Sequence, residues 1–594
     1  MRTVGLGIQD FEQIRKNNQF YVDKTDFIRT WYKKNDSITL ITRPRRFGKT
    51  LTINMMNCFF SLDYAGRQDL FENLAISQEE EMMKLQGTIP TIKVSFAGIK
   101  ADSFREFLME LSGRISRLMR NYRFLAEDDA LSAEEKQVFE DLSRVVPDVP
   151  DSQLQRKDYE RFIYQLTHSI QYLSGWLYRI HRKKVYVLMD EYDTPIQSAY
   201  LSHYYPEAMK VMRALFSESF KENEYLDRAL ITGITRIAKE SMFSDMNNLV
   251  SYSVLSGGYD SYFGFTRDEM NAILSEYDLL DQLDLVKDWY DGYTIGQEKE
   301  IYNPWSVINY LSRRPDPPKA YWAQSGGFGL ADHLIRHGDP ELHEKLQELV
   351  TEGRICTELS EDLIFPDLDN DDRAVWSLLV AAGYLKPLKT ADPASSRDFF
   401  DELFINSGLA PTQITVTNRD ANISFLEMSR RWFQNGSVNH MHRFSEALLN
   451  DDVNEMNRQM QQIVLMAVSS FDSGVKPSKG EIQPENYFHG LTTGLLFDLY
   501  GRFSLTSNRE SGFGRYDICL EPLDKRNYKT PYILELKIFS EKEGDKDLLD
   551  TARRALRQIS DKRYDYDLLA KGYLPEEIHR YGMGFRGKEV MISD

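Results

Sequence analysis

The chain has 594 residues, a formal net charge of −18 and three cysteines. This length exceeds what one hydrophobic core supports and predicts several domains, while the acidic balance argues against a general nucleic-acid coat. Cys58, Cys356 and Cys519 are spaced for neither a disulfide framework nor a metal site. No apolar run approaches membrane-spanning length, and the first residues lack the apolar core of a signal peptide, so we expect a cytoplasmic protein without a membrane partner.

Residues 37–52 predict a strand, a tight loop and a helix. The run Ile38–Thr42 is apolar and β-branched, it stops at Arg43, and an apolar periodic segment follows. Such a loop binds polyphosphate, because free N–H groups and the helix dipole favour an anion. We expect Lys49 to reach the β- and γ-phosphates and Thr50 to ligate Mg²⁺. The residues expected to hold the nucleotide here are Arg45, Arg46, Phe47, Gly48, Lys49, Thr50 and Leu51.

The loop departs from the usual phosphate-binding pattern at its first position. In G-x-x-x-x-G-K-[ST] the first glycine falls at Arg43, and Pro44, Arg45 and Arg46 follow. The loop is therefore stiff and cationic, and its arginines suggest a rim that contacts phosphate or a neighbouring domain. A basic turn before an ordinary helix is the alternative.

Two carboxylates follow a second buried run within Val185–Asp193. Five apolar residues lead to Asp190 and Glu191. In an open α/β sheet, ligands bind at the carboxyl ends of the strands. Asp190 is placed to hold Mg²⁺, and Glu191 is placed to orient or deprotonate an attacking water. An acidic turn is the alternative.

A third apolar run, Arg228–Thr235, ends in small polar residues. Thr232 then falls at the same sheet edge as Lys49 and can sense the γ-phosphate. Arg236 can neutralise charge in the transition state. A strand bend at Thr232 and a surface cation at Arg236 are the alternative.

These stretches together resemble a known family. The segments that carry the resemblance are Gly7–Tyr32, Arg43–Thr50, Leu188–Pro195, Thr232–Leu249 and Tyr302–Val307. They are similar to the bacterial AAA-ATPase-like family of P-loop ATPases, which is related to the archaeal-ATPase and STAND groups and writes its loop as RPRRFGKT. The resemblance covers about the first half of the chain. It implies a P-loop NTPase core of three αβα layers that binds ATP.

The chain divides into four regions by composition and pattern. We expect an ATPase core at 1–255, a small helical lid at 256–345, a helical linker region at 346–450 and a C-terminal domain at 451–594. Aromatic residues in the lid, around Tyr290 and Tyr302, are interpreted as core packing, with a shelter for adenine as the alternative.

Two strand-like runs near the C-terminus, Gly514–Leu520 and Pro531–Phe539, predict a hairpin. Period-two geometry puts Glu535 and Lys537 on one face, where burial without a partner is costly. Asp517 on the neighbouring strand supplies a partner. Two acids and a lysine can bind Mg²⁺ and activate water for phosphodiester cleavage. An ion-paired surface hairpin is the alternative.

This hairpin resembles the PD-(D/E)XK nuclease superfamily, with Asp517 and Glu535-Leu536-Lys537 as its motif, over about the last 110 residues. The resemblance implies a C-terminal α/β restriction-endonuclease-like domain. It also implies that Glu485 is a further metal ligand and that Gln558 is the glutamine found beside such sites. Basic residues that can contact nucleic-acid phosphates are Arg502, Arg509, Arg515, Arg553, Arg554, Arg557, Lys562 and Arg563.

The sequence thus predicts a bacterial α/β multidomain ATPase whose C-terminal domain is a Mg²⁺-dependent nuclease for DNA or RNA, controlled by nucleotide state. ATP and Mg²⁺ are the expected cofactors, with Mg²⁺ at both sites. The expected catalytic residues are Glu191, Arg236, Asp517, Glu535, Lys537 and Gln558, and the expected metal ligands are Thr50, Asp190, Glu485, Asp517 and Glu535. The alternative is a STAND-like regulatory switch whose C-terminal domain binds nucleic acid or protein without catalysis. A homo-oligomer or a protein partner stays open.

Overall fold

The computed structural model of the protein describes most of the chain. The described residues are 2–144, 156–237, 242–243, 246–314, 316–322, 329–337, 342, 345–346, 348–349, 353–362, 364–369, 371–388, 412–423, 438–471, 488–489, 491–492, 495–496, 499, 502–512 and 514–594. Within them, no helix combines the length and the apolar character that crossing a membrane requires.

The described strands and helices are numbered in chain order. The strands are β1 (Ile38–Thr42), β2 (Thr91–Ser95), β3 (Val185–Asp190), β4 (Leu226–Gly233), β5 (Leu249–Tyr252), β6 (Phe265–Thr266), β7 (Tyr293–Ile295), β8 (Glu298–Tyr302), β9 (Ile355–Thr357), β10 (Leu385–Leu388), β11 (Thr412–Val416), β12 (Phe503–Ser511), β13 (Gly514–Pro522), β14 (Tyr532–Ile538), β15 (His579–Arg586) and β16 (Glu589–Ser593). The α-helices are α1 (Phe11–Lys16), α2 (Asp26–Lys34), α3 (Lys49–Phe60), α4 (Glu80–Met83), α5 (Phe104–Asn121), α6 (Ala133–Ser143), α7 (Arg156–His181), α8 (Thr194–Leu201), α9 (Tyr205–Phe216), α10 (Arg267–Glu276), α11 (Leu283–Tyr290), α12 (Pro304–Ser312), α13 (Gly329–His337), α14 (Asp372–Ala382), α15 (Val438–Leu449), α16 (Val453–Phe471), α17 (Leu548–Lys562) and α18 (Tyr566–Ala570).

The chain forms two compact units. The first comprises Met1–Leu334 and Arg354–Ser424, and the second comprises Ile335–Gly353 and Phe425–Asp594. The four domain boundaries predicted from the sequence stay predictions.

The first unit is built around a parallel sheet with the strand order β2-β3-β4-β1-β5. Every residue of β1 and β3 is buried, as expected for parallel strands that helices cover on both faces. The register pairs Ile41 with Thr232 and Ser95 with Asp190, so the carboxyl ends of these strands meet at one edge. The predicted α/β fold class is confirmed.

The lid region of this unit packs its aromatic side chains inward. Strands β6, β8 and β7 form an antiparallel sheet. Tyr290 and Tyr302 are buried in a hydrophobic core with residues of α10 and α12. Their predicted packing role is confirmed. A third sheet with the order β10-β11-β9 belongs to the same unit.

The second unit contains a mixed sheet with the order β12-β13-β14-β15-β16, in which only the β14–β15 pair is parallel. Leu534 and Leu536 enter one hydrophobic core, and Ile533 enters another, so β14 alternates between faces as predicted. Helix α17 lies very close to β15. A Cβ atom at Gly582 would stand 2.0 Å from the Ala552 carbonyl oxygen, which makes glycine necessary for this contact.

Candidate nucleotide and nuclease sites

The phosphate loop, residues 43–50, connects β1 to α3. Gly48 has φ +83°, a left-handed conformation that glycine adopts without strain, and α3 begins at the next residue. The Lys49 ammonium is buried and donates to the carbonyl oxygens of Arg43 and Pro44, each at 2.8 Å. Burial lowers the pKa of Lys49 to about 8, against the attraction of Glu191 and other nearby acids.

Asp190 connects the loop to the neighbouring strands. Its Oδ2 atom accepts a hydrogen bond from the Thr50 hydroxyl at 2.7 Å, and its Oδ1 atom accepts one from the Thr232 hydroxyl at 2.6 Å. Asp190 is 1% exposed. The structure therefore brings together three residues that the sequence assigns to nucleotide and metal. These residues define the nucleotide site with Lys49 and Glu191.

Glu191 follows the strand in a strained conformation. Its φ is +51°, a left-handed value that is uncommon outside glycine and asparagine. Burial raises the pKa of Glu191, and the charge of Asp190 raises it further. A raised pKa suits a group that accepts a proton from water.

The three loop arginines do not form one cationic rim. Arg43 is fully buried, and its guanidinium donates to the carbonyl oxygens of Thr42, Tyr252 and Gly258 at 2.8, 2.9 and 2.6 Å. The rim interpretation is wrong for Arg43, because its buried guanidinium connects β1 to the end of β5 and the segment that follows, and does not face a ligand at a rim. Arg46 is exposed, and its guanidinium lies 4.5 Å from the centroid of the Trp305 ring.

The other loop residues are anchored by the lid region. The carbonyl oxygen of Arg45 accepts a hydrogen bond from the Trp322 indole at 3.3 Å. Phe47 is buried against Tyr293, with ring centroids 4.8 Å apart, so its side chain packs in the core. Leu51 is half-buried in the first turn of α3.

Arg236 is ion-paired to two acids of the first unit. Its guanidinium forms ion pairs with Glu361 and Asp362, each at 2.9 Å. The alternative of a surface cation stays open, because the ion-paired side chain is partly exposed. Its predicted role in neutralising transition-state charge stays a prediction, since the side chain must leave two carboxylates to perform it.

The predicted carboxylates of the second unit converge across β13 and β14. Glu535 is 1% exposed, and its Oε2 atom accepts the backbone N–H of Asp517 at 3.2 Å. In return, Asp517 Oδ2 accepts the backbone N–H of Leu536 at 2.7 Å. The regular pairing of the two strands starts at Ile518, so these N–H groups serve the carboxylates instead of the strand ladder.

Lysine and glutamine side chains complete this hairpin site, which comprises Asp517, Glu535, Lys537 and Gln558. Lys537 Nζ lies 3.3 Å from Glu535 Oε1, and the Gln558 amide donates to the same oxygen. Burial raises the pKa of Glu535 to about 8, and the charge of Asp517 adds to this while Lys537 opposes it.

Sequence reasoning misses two residues that support the hairpin site. The Tyr564 hydroxyl accepts a hydrogen bond from Gln558 at 3.0 Å, and buried His489 is hydrogen-bonded through Nε2 to the Asp517 carbonyl oxygen at 3.0 Å. Tyr564 comes six residues after Gln558, at the end of α17, a spacing that offers a local signal. His489 carries no such signal. The predicted metal ligand Glu485 lies outside the described residues.

The donor sets at both sites suit Mg²⁺. The described residues contain no group of three or more His, Cys, Asp or Glu side chains placed to hold a metal ion. Mg²⁺ needs fewer, because it is commonly bound by one or two carboxylates and keeps several waters. Asp517 with Glu535, and Asp190 with Thr50, offer hard oxygen ligands of this kind.

Family comparisons agree with this arrangement. Residues 5–243 match the family model described as a predicted AAA-ATPase, AAA-ATPase-like, and residues 483–594 match a model of the PD-(D/E)XK nuclease superfamily. Both predicted family resemblances are confirmed. The AAA-ATPase-like match contains the whole nucleotide site, and the PD-(D/E)XK match contains the whole hairpin site.

One curated relative is similar over much of the chain. It is the uncharacterized protein in the vnfD 5′ region of Azotobacter chroococcum mcd 1, 27% identical over 389 residues. The match covers 64% of this chain and 63% of that protein.

Proposed function

We propose that the protein is a nucleotide-controlled nuclease that binds and hydrolyses ATP at the nucleotide site and cleaves DNA or RNA at the hairpin site. The observation that carries the nuclease proposal is the convergence of Asp517, Glu535 and Lys537 on the adjacent strands β13 and β14. A buried carboxylate charge is costly unless it is ion-paired, is hydrogen-bonded or coordinates a metal ion. Glu535 lies beside a lysine and a second acid, and a bound divalent cation would favour its charged form, which burial and Asp517 disfavour.

The residues of the hairpin site have distinct proposed tasks. Asp517 and Glu535 would hold Mg²⁺, which when bound acts as a Lewis acid and lowers the pKa of a coordinated water. Lys537 places a positive charge where a scissile phosphate gains negative charge. Gln558, itself hydrogen-bonded to Tyr564, fixes the orientation of Glu535.

At the nucleotide site, Lys49 and the N-terminus of α3 would bind the phosphates of ATP, and Thr50 with Asp190 would hold its Mg²⁺, which neutralises phosphate charge when bound. Glu191 would accept a proton from the attacking water. Its raised pKa and its fixed backbone support this role.

Exposed basic side chains support nucleic acid as the substrate. Arg553, Arg557, Lys562 and Arg563 are exposed on and after α17, the helix that carries Gln558. Residues 501–594 hold 18 basic and 17 acidic side chains, against 73 and 91 in the whole chain, so this part of an acidic protein is neutral. Neutral balance lowers the repulsion of a phosphate backbone. Arg554 is a different case, because it is ion-paired to Asp545 at 2.8 Å.

A second candidate is a STAND-like switch whose C-terminal domain binds nucleic acid or protein without cleaving it. It is favoured by the engagement of both Glu535 oxygens in hydrogen bonds within the protein. Such a domain would bind its partner equally well with and without Mg²⁺.

The test is cleavage of mixed DNA and RNA substrates by the full chain, with Mg²⁺ or with a chelator. We expect Mg²⁺-dependent cleavage that Glu535→Gln abolishes. Glu521→Gln is the matched control, because Glu521 is an ion-paired acid further along β13, bound to Lys571. Full activity in Glu535→Gln, or no cleavage by the wild type under any condition, would contradict the nuclease proposal.

A further inference from the structure

The backbone around Arg236 is fixed against the segment that follows β3. Asp193 Oδ2 accepts the N–H of Thr235 at 2.9 Å and its hydroxyl at 2.8 Å. The Tyr192 hydroxyl accepts the N–H of Ile237 at 3.1 Å and donates to the Thr235 carbonyl at 2.8 Å. Arg236 therefore cannot move far as a whole, and only its side chain can change partners.

That side chain is held by two acids from a distant part of the sequence. Glu361 Oε2 lies 2.9 Å from the Arg236 Nη1 atom, and Asp362 Oδ1 lies 2.9 Å from its Nε atom. The arginine side chain is 18% exposed, whereas the two acids are 30% and 46% exposed. Two carboxylates that bind one guanidinium present the same kind of hydrogen-bond acceptors as the oxygens of a phosphate group.

Arg236 follows the end of β4 by three residues, so a nucleotide phosphate at this sheet edge would compete with the two acids for its guanidinium. Thr232 lies near the end of β4 and is hydrogen-bonded to Asp190. The carbonyl oxygen of Gly233, the last residue of β4, accepts the backbone N–H of Arg43 at 3.1 Å. The loop can hold the α- and β-phosphates of any nucleotide, and Lys49 is expected to reach the β-phosphate of ADP as well as the γ-phosphate of ATP. A γ-phosphate adds negative charge beyond them, at the sheet edge where β4 ends.

We propose that Glu361 and Asp362 set the discrimination between ATP and ADP, by holding Arg236 until a γ-phosphate replaces them. The proposal rests on the proposed nucleotide function of the phosphate loop. ADP offers Arg236 no new anion, so it binds with the ion pairs intact. When ATP binds, Arg236 gains a contact with the γ-phosphate and loses its contacts with the two carboxylates. The acids therefore lower the affinity for ATP and leave that for ADP unchanged.

The test is a calorimetric titration of the full chain with ATPγS and with ADP, both in Mg²⁺. In Glu361→Gln/Asp362→Asn, which keeps the shape of both side chains, ATPγS should bind about five- to tenfold more tightly, the range expected for partly exposed charged pairs. ADP affinity should change less than about twofold, because the β-phosphate does not reach Arg236.

Arg236→Met supplies the second arm of the test. It should weaken ATPγS and leave ADP unchanged, and the gain from neutralising the acids should vanish in the combined variant. Glu276→Gln is the matched control, because Glu276 is a partly exposed acid of the same unit, paired to Arg2 at 2.6 Å. It should leave both affinities unchanged.

Hydrogen exchange distinguishes an ion pair that nucleotide releases from a purely structural one, because only the first should give exchange rates that differ between ATPγS and ADP. In the wild type, peptides that cover residues 353–362 should exchange faster with ATPγS than with ADP. An unchanged ratio of ATPγS to ADP affinity in the neutralised variant would overturn the inference. If Lys49→Ala still abolishes binding in that case, the nucleotide function stands alone; if the wild type binds neither nucleotide, both are wrong.

Discussion

The nucleotide site has its carboxylate Asp190 at the end of a strand, whereas the hairpin site has its carboxylates within two adjacent strands, and different groups hold them. Asp190 is bonded to the hydroxyls of Thr50 and Thr232, which can rotate toward a metal or a phosphate. Asp517 and Glu535 accept backbone N–H groups, which cannot leave without opening the hairpin. The difference indicates an adjustable site that responds to its ligand and a rigid site that is assembled before its substrate arrives.

Cleavage at the rigid hairpin site should fall most when a single carboxylate oxygen of Asp517 is replaced. Asp517→Asn keeps an oxygen for the Leu536 N–H but removes the negative charge, so the hairpin should fold and cleavage should fall by about a thousandfold. Circular dichroism and the melting temperature should stay at wild-type values. Retained cleavage would show that Asp517 only supports the strand.

The adjustable site depends most on its buried cation. Lys49→Ala removes the ammonium that would meet the phosphates, and we expect ADP and ATPγS affinity to fall about a hundredfold. The nucleotide-free melting temperature should also fall, because the buried carbonyl groups of Arg43 and Pro44 lose their donor. Calorimetry measures the affinity, and an unchanged value would remove the loop from the binding site.

The rigidity of the hairpin site can be tested through its supporting amide. Gln558→Ala removes the donor to Glu535 without touching the expected metal ligands, and cleavage should fall about 10- to 100-fold, as for other groups that orient a ligand. The apparent Mg²⁺ requirement, measured as the concentration for half-maximal cleavage, should rise. A loss of cleavage with no change in the Mg²⁺ requirement would point to a contact with substrate instead.

Two arginines of the phosphate loop should separate stability from binding. Arg43→Met leaves two buried carbonyl groups and one partly buried carbonyl group without their donor, so the free energy of unfolding should fall by about 2–4 kcal/mol. Arg46→Met removes an exposed cation, so it should lower nucleotide affinity and change stability by less than about 1 kcal/mol. Differential scanning calorimetry measures the stability of both variants, and a nucleotide titration measures their affinity. If Arg43→Met lowered nucleotide affinity without lowering stability, the cationic-rim interpretation would be restored for Arg43.

The smallest expected effect concerns the cysteines. Cys58 lies in α3 and Cys519 in β13, and burial raises the pKa of each thiol to about 12, so both stay protonated and unreactive at pH 8. Cys356 is exposed. Iodoacetamide followed by mass spectrometry should label Cys356 in the native protein, and the other two only after denaturation. Native labelling of Cys519 would show that the hairpin site opens readily.

The parts of both sites that the sequence predicts are mostly local. The loop and α3 are contiguous, and the alternation of β14 follows from its period of two, so both could be read directly. Contacts between distant positions could be read only where both residues lie at or after the ends of strands of one sheet, as for Thr50 and Asp190. Arg43 finds a carbonyl 209 residues away, and Arg236 finds an acid 125 residues away, and no spacing rule encodes either pairing. A buried arginine and an exposed one are written identically in a basic loop.

The central claim is that a nucleotide at the first site controls cleavage at the second. The direct measurement is the initial rate of Mg²⁺-dependent cleavage by the full chain with ATPγS, with ADP and without nucleotide, beside Lys49→Ala. We predict that the rate differs between ATPγS and ADP in the wild type, and that Lys49→Ala cleaves at the nucleotide-free rate in all three conditions. Equal wild-type rates in all three conditions would contradict the claim.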